Sequence, residues 1–326
     1  MNLRNLLARA ALACAVLVVA GAATAQQAYP SRPIRLIVPF PPGGSTTVVA
    51  RLLGQKLTEA WGQPVIVENK PGGNGIIGSE EMLKSAPDGH TILLVVNTHA
   101  INALVMKSLP YDTVKDFAPV ATLYSFELVL VANPAVPANN LREFIALAKA
   151  KPGEIRYAAG DNGGLTHLAS EMFNAQAGVN IQAIPYKGSG PALTDTVAGH
   201  VESYFSSPTA VIQFIKTGKL KAFAISGKTR SVALPDVPTF AEAGLPGYDA
   251  GAWCGILAPA ATPKDIVNKL SAEIAKIIAT PDFREKLQGQ GLESFVSTPD
   301  QFAALIGRDM AKYDRVIKTA NIKFDN

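Results

Sequence analysis

Histidine and cysteine are scarce in this chain: its 326 residues contain four of the first and two of the second. Cys14 sits in an apolar N-terminal run, so a chain cleaved after that run keeps Cys254 alone and can form no internal disulfide. Cys254 itself reads as a small buried hydrophobe. The histidines stand at 90, 99, 167 and 200, with no spacing that sets two on one helical face, so no metal site is expected. Charged residues make up only 17% of the chain and the net charge of +4 contains no basic block, which argues against nucleic acid or a membrane surface as partner. Long apolar runs are missing too: none reaches the ~18 residues a membrane-spanning helix needs.

What is present begins with an export signal. Arg4 and Arg9 flank a basic start, Ala10 to Gly21 is a short apolar stretch, and Ala23-Thr24-Ala25 is a small-residue cleavage site before Gln26, the pattern of a secretory signal over residues 1–25. Cys14 does not fit a lipoprotein cysteine, because most of the apolar stretch follows it. Cleavage after Ala25 removes two arginines, taking the charge from +4 to about +2. Residues 26–326 form a chain long enough for more than one compact domain.

Strand and helix signals then alternate, the mark of a wound α/β architecture. Ile34 to Phe40 reads as a strand, and Val48, Val49, Leu52, Leu53, Leu57, Ala60 and Trp61 follow at helical spacing. Pro64 to Asn69, Ile76 to Ser85 and Thr91 to Val96 continue as strand, helix and strand, the last apolar on both faces as buried parallel strands are. A second set comprises strand Leu128–Ala132, helix Leu141–Ala150, strand Ile155–Ala159, helix Thr166–Ala177, strand Val179–Pro185, a helix around Ala192–Ala198 and strand Leu220–Ile225. A strand from Tyr248 to Leu257 and helices Pro263–Ala279 and Pro299–Ala320 close the chain. The pattern predicts two lobes, 26–124 plus 249–326 and 125–248, crossing near Tyr124 and Asp249, with a ligand cleft between them.

Several strand-to-helix turns share one chemistry: Gly43-Gly44-Ser45-Thr46, Asn97-Thr98-His99, Gly160 to His167, and Lys187-Gly188-Ser189-Gly190. Small residues let the backbone approach a ligand, while hydroxyls and free amides at a helix start donate toward an anion. Taken singly, each is also an ordinary helix cap. Gly73-Asn74-Gly75-Ile76-Ile77-Gly78 matches the dinucleotide fingerprint but lacks the acidic residue about 20 positions on. Gly227-Lys228-Thr229 ends like a phosphate loop, yet Ala222 holds the first glycine position. No nucleotide cofactor is expected. A hydrolase reading needs His99 or His167 to activate Ser45, Ser189 or Ser206, without a GxSxG elbow or an assigned carboxylate.

The motifs Val38-Pro39-Phe40-Pro41-Pro42-Gly43-Gly44-Ser45, Val67 to Gly75 with Ile77-Gly78, Ala86 to Ile92, Tyr157 to Leu168, Pro185 to Ala192 and Leu234 to Thr239 resemble, in order and along the whole mature chain, the Bug receptors of tripartite tricarboxylate transporters. The resemblance implies an α/β periplasmic-binding-protein fold of type II kind, each lobe a mixed sheet flanked by helices. It further implies a monomeric, non-enzymatic solute-binding protein of the periplasm that closes on a small carboxylate and delivers it to the transporter's membrane components. By position, it implies a first pincer of Pro42, Gly43, Gly44, Ser45, Thr46 and Thr47, and a second of Gly160, Asn162, Gly163, Gly164 and Thr166. Asn97, Thr98 and His99 join from the first lobe, with Tyr186, Phe205 and Ser206 from a turn of the second. A hydrolase of a carboxylated substrate, or a sensor component presenting ligand, are the alternatives.

Two positions depart from that family. Aspartate is common where Thr47 stands, and an acidic residue near Ser206; both are neutral here. Losing carboxylates removes acceptors for an ammonium group and repulsion of a dianion, so amino acids are expected to be disfavoured. Phe126 and Phe205 offer apolar walls for a longer or aromatic dicarboxylate such as terephthalate. Lys187 is placed either at the ligand or in solvent, and Arg51 is assigned no role.

Overall fold

The structure, a computed structural model, describes residues 29–160 and 163–319. The expected signal segment and Asn162 lie outside those residues. Two sheets organise the rest. The first contains β1 (Ile34–Val38), β2 (Val65–Asn69), β3 (Thr91–Val96), β4 (Phe117–Phe126), β10 (Ala252–Pro259) and β11 (Glu293–Ser294), in the order β11-β4-β10-β3-β1-β2. The second contains β5 (Val129–Ala132), β6 (Arg156–Ala159), β7 (Gln182–Pro185), β8 (Ser203–Ser206) and β9 (Lys221–Ile225), in the order β7-β6-β8-β5-β9. The expected two-lobed α/β fold is present.

Strand directions place the loops. β1 runs parallel to β2 and β3, while β10 is antiparallel to both β3 and β4, so β1 to β4 all point the same way. In the second sheet β6 is parallel to β7 and β8, and β5 is antiparallel to β8 and β9. β4 leads through Glu127 and Leu128 directly into β5. Both sheets therefore present the carboxyl ends of their parallel strands, and the turns that follow them, toward the crossing. Ligands of open α/β sheets bind at that edge. The crossing expected at Tyr124 lies slightly later in the structure, because Tyr124 is still paired with Cys254 and Ser294 inside the first sheet.

Helices cover both faces. α1 (Ser45–Trp61) buries Val49, Ala50, Leu53 and Leu57, and each of the three larger side chains stabilises the lobe by about 1.5–3 kcal/mol. They join one core with β1, β3, β10 and α8 (Lys264–Ala279). On the opposite face, α2 (Ile76–Leu83), α3 (Thr98–Val105) and α10 (Pro299–Thr319) enclose Leu93, Trp253 and Phe302. The second sheet carries α4 (Leu141–Ala150) and α5 (Leu165–Ala177) on one face, and α6 (Ser189–Ala198) and α7 (Pro208–Lys216) on the other. Ile101 and Val105 of α3 and Tyr313 of α10 pack into the second lobe's core with Leu128, Leu130 and Tyr248, so the cores meet at the crossing. α9 (Pro281–Gln288) follows α8 and packs on it.

Several elements differ from the sequence expectation. β4, α7 and α9 are not expected from the sequence, and α3 is expected only as the helix after the Asn97–His99 turn. Pro119 and Ser125 break the apolar pattern of β4, and α3 and α9 are eight residues each, too short for a periodicity to stand out. Phe205 and Ser206, expected in a turn, lie in β8.

Candidate functional site

The turn after β1 is built by its neighbours as much as by itself. Gly43 has φ +99°, a conformation glycine adopts without strain. Gly44 then takes the N-cap position of α1, and its carbonyl accepts from the N–H groups of Thr47 and Val48. From the end of β2, the Asn69 amide donates to the Phe40 carbonyl at 2.9 Å and to Thr47 Oγ1 at 2.8 Å. Asn69, to which no role was assigned from sequence, thus pins the base of the turn. Pro42, Gly43 and Gly44 are exposed and Ser45 and Thr46 half-buried. The Thr47 side chain is buried against Asn69, which accounts for it structurally.

The second-lobe turn is more enclosed. Gly160, Gly163, Gly164 and Thr166 are all buried. The Gly160 N–H donates to Thr166 Oγ1 at 3.2 Å, and the Gly163 N–H to His167 Nδ1 at 3.1 Å. Burial holds His167 below the usual histidine range, which keeps Nδ1 available as an acceptor. A Cβ on Gly160 would lie 2.8 Å from the Tyr204 hydroxyl and 3.3 Å from Ser189 Cα. Only glycine lets the turns after β6 and β7 close on each other in this way, so α5 and α6 start side by side. Beside them, the Tyr186 hydroxyl donates to Asp195 at 2.8 Å; desolvation and that carboxylate together push the phenol up to about 12. Lys187 is exposed.

Three expected side chains are turned away from a ligand role. Asn97 is fully buried: Oδ1 accepts from the Trp253 N–H at 2.7 Å, and Nδ2 donates to Asp309 at 2.8 Å and Tyr313 at 3.2 Å. It ties β3, β10 and α10 together. His99 is walled in by Tyr111 and Phe117, with Nε2 3.0 Å from the Thr113 carbonyl. Phe205 is 1% exposed and stacks on Phe240 and Tyr248 in the second-lobe core, so it forms no cleft wall. Thr98 is buried and opens α3, and Ser206 is buried at the end of β8. A further helix start follows Ser206: Ser207 is the N-cap of α7 and Pro208 its first residue, a Ser-Pro signal that marks helix starts in sequence.

The sequence look-alikes have structural explanations. A Cβ on Gly78 would lie 2.6 Å from Pro39 Cβ and 3.2 Å from the Lys70 carbonyl, so the glycine pattern serves close packing of α2 on the first turn. Gly227 packs against Glu127. Both candidate bases of a hydrolase, His99 and His167, engage a ring nitrogen with backbone.

The candidate site thus comprises helix starts from both lobes, formed by glycines, hydroxyls and amides, with no charged residue in Pro42–Thr47, Asn97–His99 or Gly163–Thr166. Residues 49–322 match the model of the tripartite tricarboxylate transporter family receptor. The chain belongs to this family. The receptor is 38% identical over 325 residues to the protein BugT of Bordetella pertussis, covering 99% of both chains. Its fold matches Rpa4515 of R. palustris, solved with adipate, at 32% identity and TM-score 0.84, over 90% of this chain and 99% of that one. It matches MatC of Rhodopseudomonas palustris, solved with malate, at 32% identity and TM-score 0.79, over 89% and 100%. The family consists of solute-binding receptors, not enzymes.

Among the described residues, a separate cavity of about 510 Å³ lies at the crossings, lined by Phe126, Glu127, Lys228, Tyr248, Asp249 and Glu293 among others. None of the expected pincer residues lines it. The Glu127 carboxylate accepts from Ser226 Oγ at 2.6 Å, and Ser226 Oγ accepts from the Leu128 N–H at 2.9 Å. A Cβ on Gly251 would lie 3.1 Å from both Glu127 carboxylate oxygens. One carboxyl group thus touches both crossings, and desolvation raises its pKa, with Asp249 and Glu293 adding to the shift.

Proposed function

We propose that this receptor captures a small aliphatic dicarboxylate between its lobes in the periplasm and delivers it, by lobe closure, to the membrane components of a tripartite tricarboxylate-type transporter. The observation that carries the reading is the convergence of the starts of α1, α5 and α6, all following parallel strands, on the edge where the chain crosses. Helix N-termini carry partial positive charge and unsatisfied N–H groups, so two opposed sets suit a ligand anionic at both ends. Adipate in Rpa4515 and malate in MatC are of that chemistry. Ser45–Thr47 and Gly163–Thr166 contain no carboxylate, the acceptor best suited to an α-ammonium group, so amino acids bind weakly. Phe205 lies in the core, which removes one support for an aromatic ligand and favours aliphatic dicarboxylates over terephthalate. The lobes, divided at Glu127–Leu128 between β4 and β5 and again near Asp249, close about the two crossings, and contacts from both favour the closed form.

The test is a thermal-shift titration of the chain from Gln26 with succinate, malate, adipate, citrate, terephthalate and aspartate. Trp253 fluorescence serves as a second readout, since its N–H lies on the returning crossing strand. An aliphatic dicarboxylate at a hundred times its Kd should add about 2.7 kcal/mol of stability. Aspartate binding as tightly as malate would overturn the selectivity, and no shift with any carboxylate would overturn the receptor reading.

A further inference from the structure

Tyr124 lies near the carboxyl end of β4 with its side chain completely buried. Its hydroxyl makes no hydrogen bond of ordinary geometry, but lies beside Ser45 and Cys254, and a buried hydroxyl left unpaired is costly. In the β4–β10 register it stands directly opposite Cys254. Its ring belongs to the same packed cluster as Val49 of α1. Ser45 precedes Val49 by four residues and so lies on the same face of that helix, above the phenol. The two polar groups that the hydroxyl feels are Ser45 and Cys254. A thiol is a weak acceptor and a serine oxygen a good one. Burial also keeps the phenol protonated well above its ordinary range, so it is a donor at every physiological pH.

We propose that Tyr124 is a positioning residue for the first-lobe cradle: its hydroxyl donates to the Ser45 oxygen and thereby directs the Ser45 proton outward, to a ligand carboxylate at the start of α1. The proposal rests on the receptor reading above. A serine hydroxyl carries one proton and rotates freely among its acceptors. A fixed donor behind it occupies a lone pair, orients the proton away from the core and polarises the O–H bond, so the two hydrogen bonds strengthen each other. The first lobe then meets the ligand with donors alone. That end of the cleft accepts an acceptor-only group, a carboxylate, and discriminates against the same ligand carrying a primary amide there.

Tyr124→Phe keeps the ring and removes only the hydroxyl. Its melting temperature should fall only slightly, because the ring stays packed and a single hydrogen bond, the one to Ser45, is lost. It should bind the tightest-binding member of the dicarboxylate panel about tenfold more weakly, roughly one hydrogen bond's worth. In a Ser45→Ala background the same substitution should leave affinity unchanged, because the group it acts through is missing. A purely structural tyrosine would lower the melting temperature and weaken binding equally in both backgrounds. A lowered melting temperature for Tyr124→Phe with no loss of affinity overturns the proposal. Unchanged affinity in Tyr124→Phe, or an equal loss with and without Ser45, overturns the proposal alone. A wild-type protein that binds no member of the panel overturns the receptor reading and this inference with it.

Discussion

The His99 imidazole illustrates how burial fixes protonation. Its ring is enclosed by Tyr111 and Phe117, Nε2 meets the Thr113 carbonyl, and Nδ1 has no partner. Because a carbonyl only accepts, the neutral tautomer with hydrogen on Nε2 fits the site. Desolvation lowers the pKa to about 4, and the Thr113 bond opposes the shift only in part. The folded value lies below the unfolded one of about 6.5, so the unfolded chain takes up the proton first. The stability due to neutral His99 is complete above pH ~6.5 and is lost as pH falls through about 4, of order 3 kcal/mol. Chemical denaturation at pH 7, 5 and 4 should show this loss. His99→Gln keeps a donor for Thr113 but does not titrate, and should flatten that part of the profile; an unchanged slope would remove His99 as its cause. Asn97 shows the other way a site-like residue is used: all its hydrogen-bonding capacity observed here joins three elements of the first lobe.

At the scale of elements, glycines mark where backbones touch. Gly78→Ala would force a Cβ to within 2.6 Å of Pro39 and 3.2 Å of a carbonyl, and backbone yields less readily than a side-chain tip. We expect a loss of about 1–3 kcal/mol, seen as a lower denaturation midpoint, with carboxylate affinity changed much less than stability. A large affinity loss at unchanged stability would instead place Gly78 in the binding machinery. This explains what sequence could and could not reveal. β1 and β3 are legible because unbroken apolar runs between turn residues are what buried parallel strands require. The turn at Gly43–Thr46 is legible as a helix start because glycines and hydroxyl residues between a strand and a helical period are what helix caps require. The inward engagement of Asn97 with Asp309 is not legible, since 212 positions separate the partners and an amide at a helix start looks the same whether it faces ligand or core. Phe205 misled for a related reason: its fellow core residues Phe240 and Tyr248 arrive from distant chain.

For the whole molecule, the crossings are where a small change spreads. Glu127 bridges both of them through Ser226 and the close approach of Gly251, facing Asp249 and Glu293 with Lys312 as the opposing charge. Its folded pKa is raised, so its contribution favours the fold below the ordinary carboxylate range and is lost as pH rises through the folded value. Glu127→Gln should therefore melt higher than the wild type at pH 7–8, the difference shrinking toward pH 4.5; a variant less stable at neutral pH would show the charge to be supporting the crossing. The placement of β10 has a different consequence, concerning the order in which the molecule can be completed. Among the described residues β4 pairs only with β10 and β11, both made from chain that follows the second lobe, whereas the last strand of the second sheet ends at Ile225. A chain that emerges N-terminus first can finish its continuous lobe while the lobe that began it is still waiting for its central strand. The earliest residues of the fold are thus among the last to be sealed, and until residue 252 arrives the first lobe remains a half-built sheet.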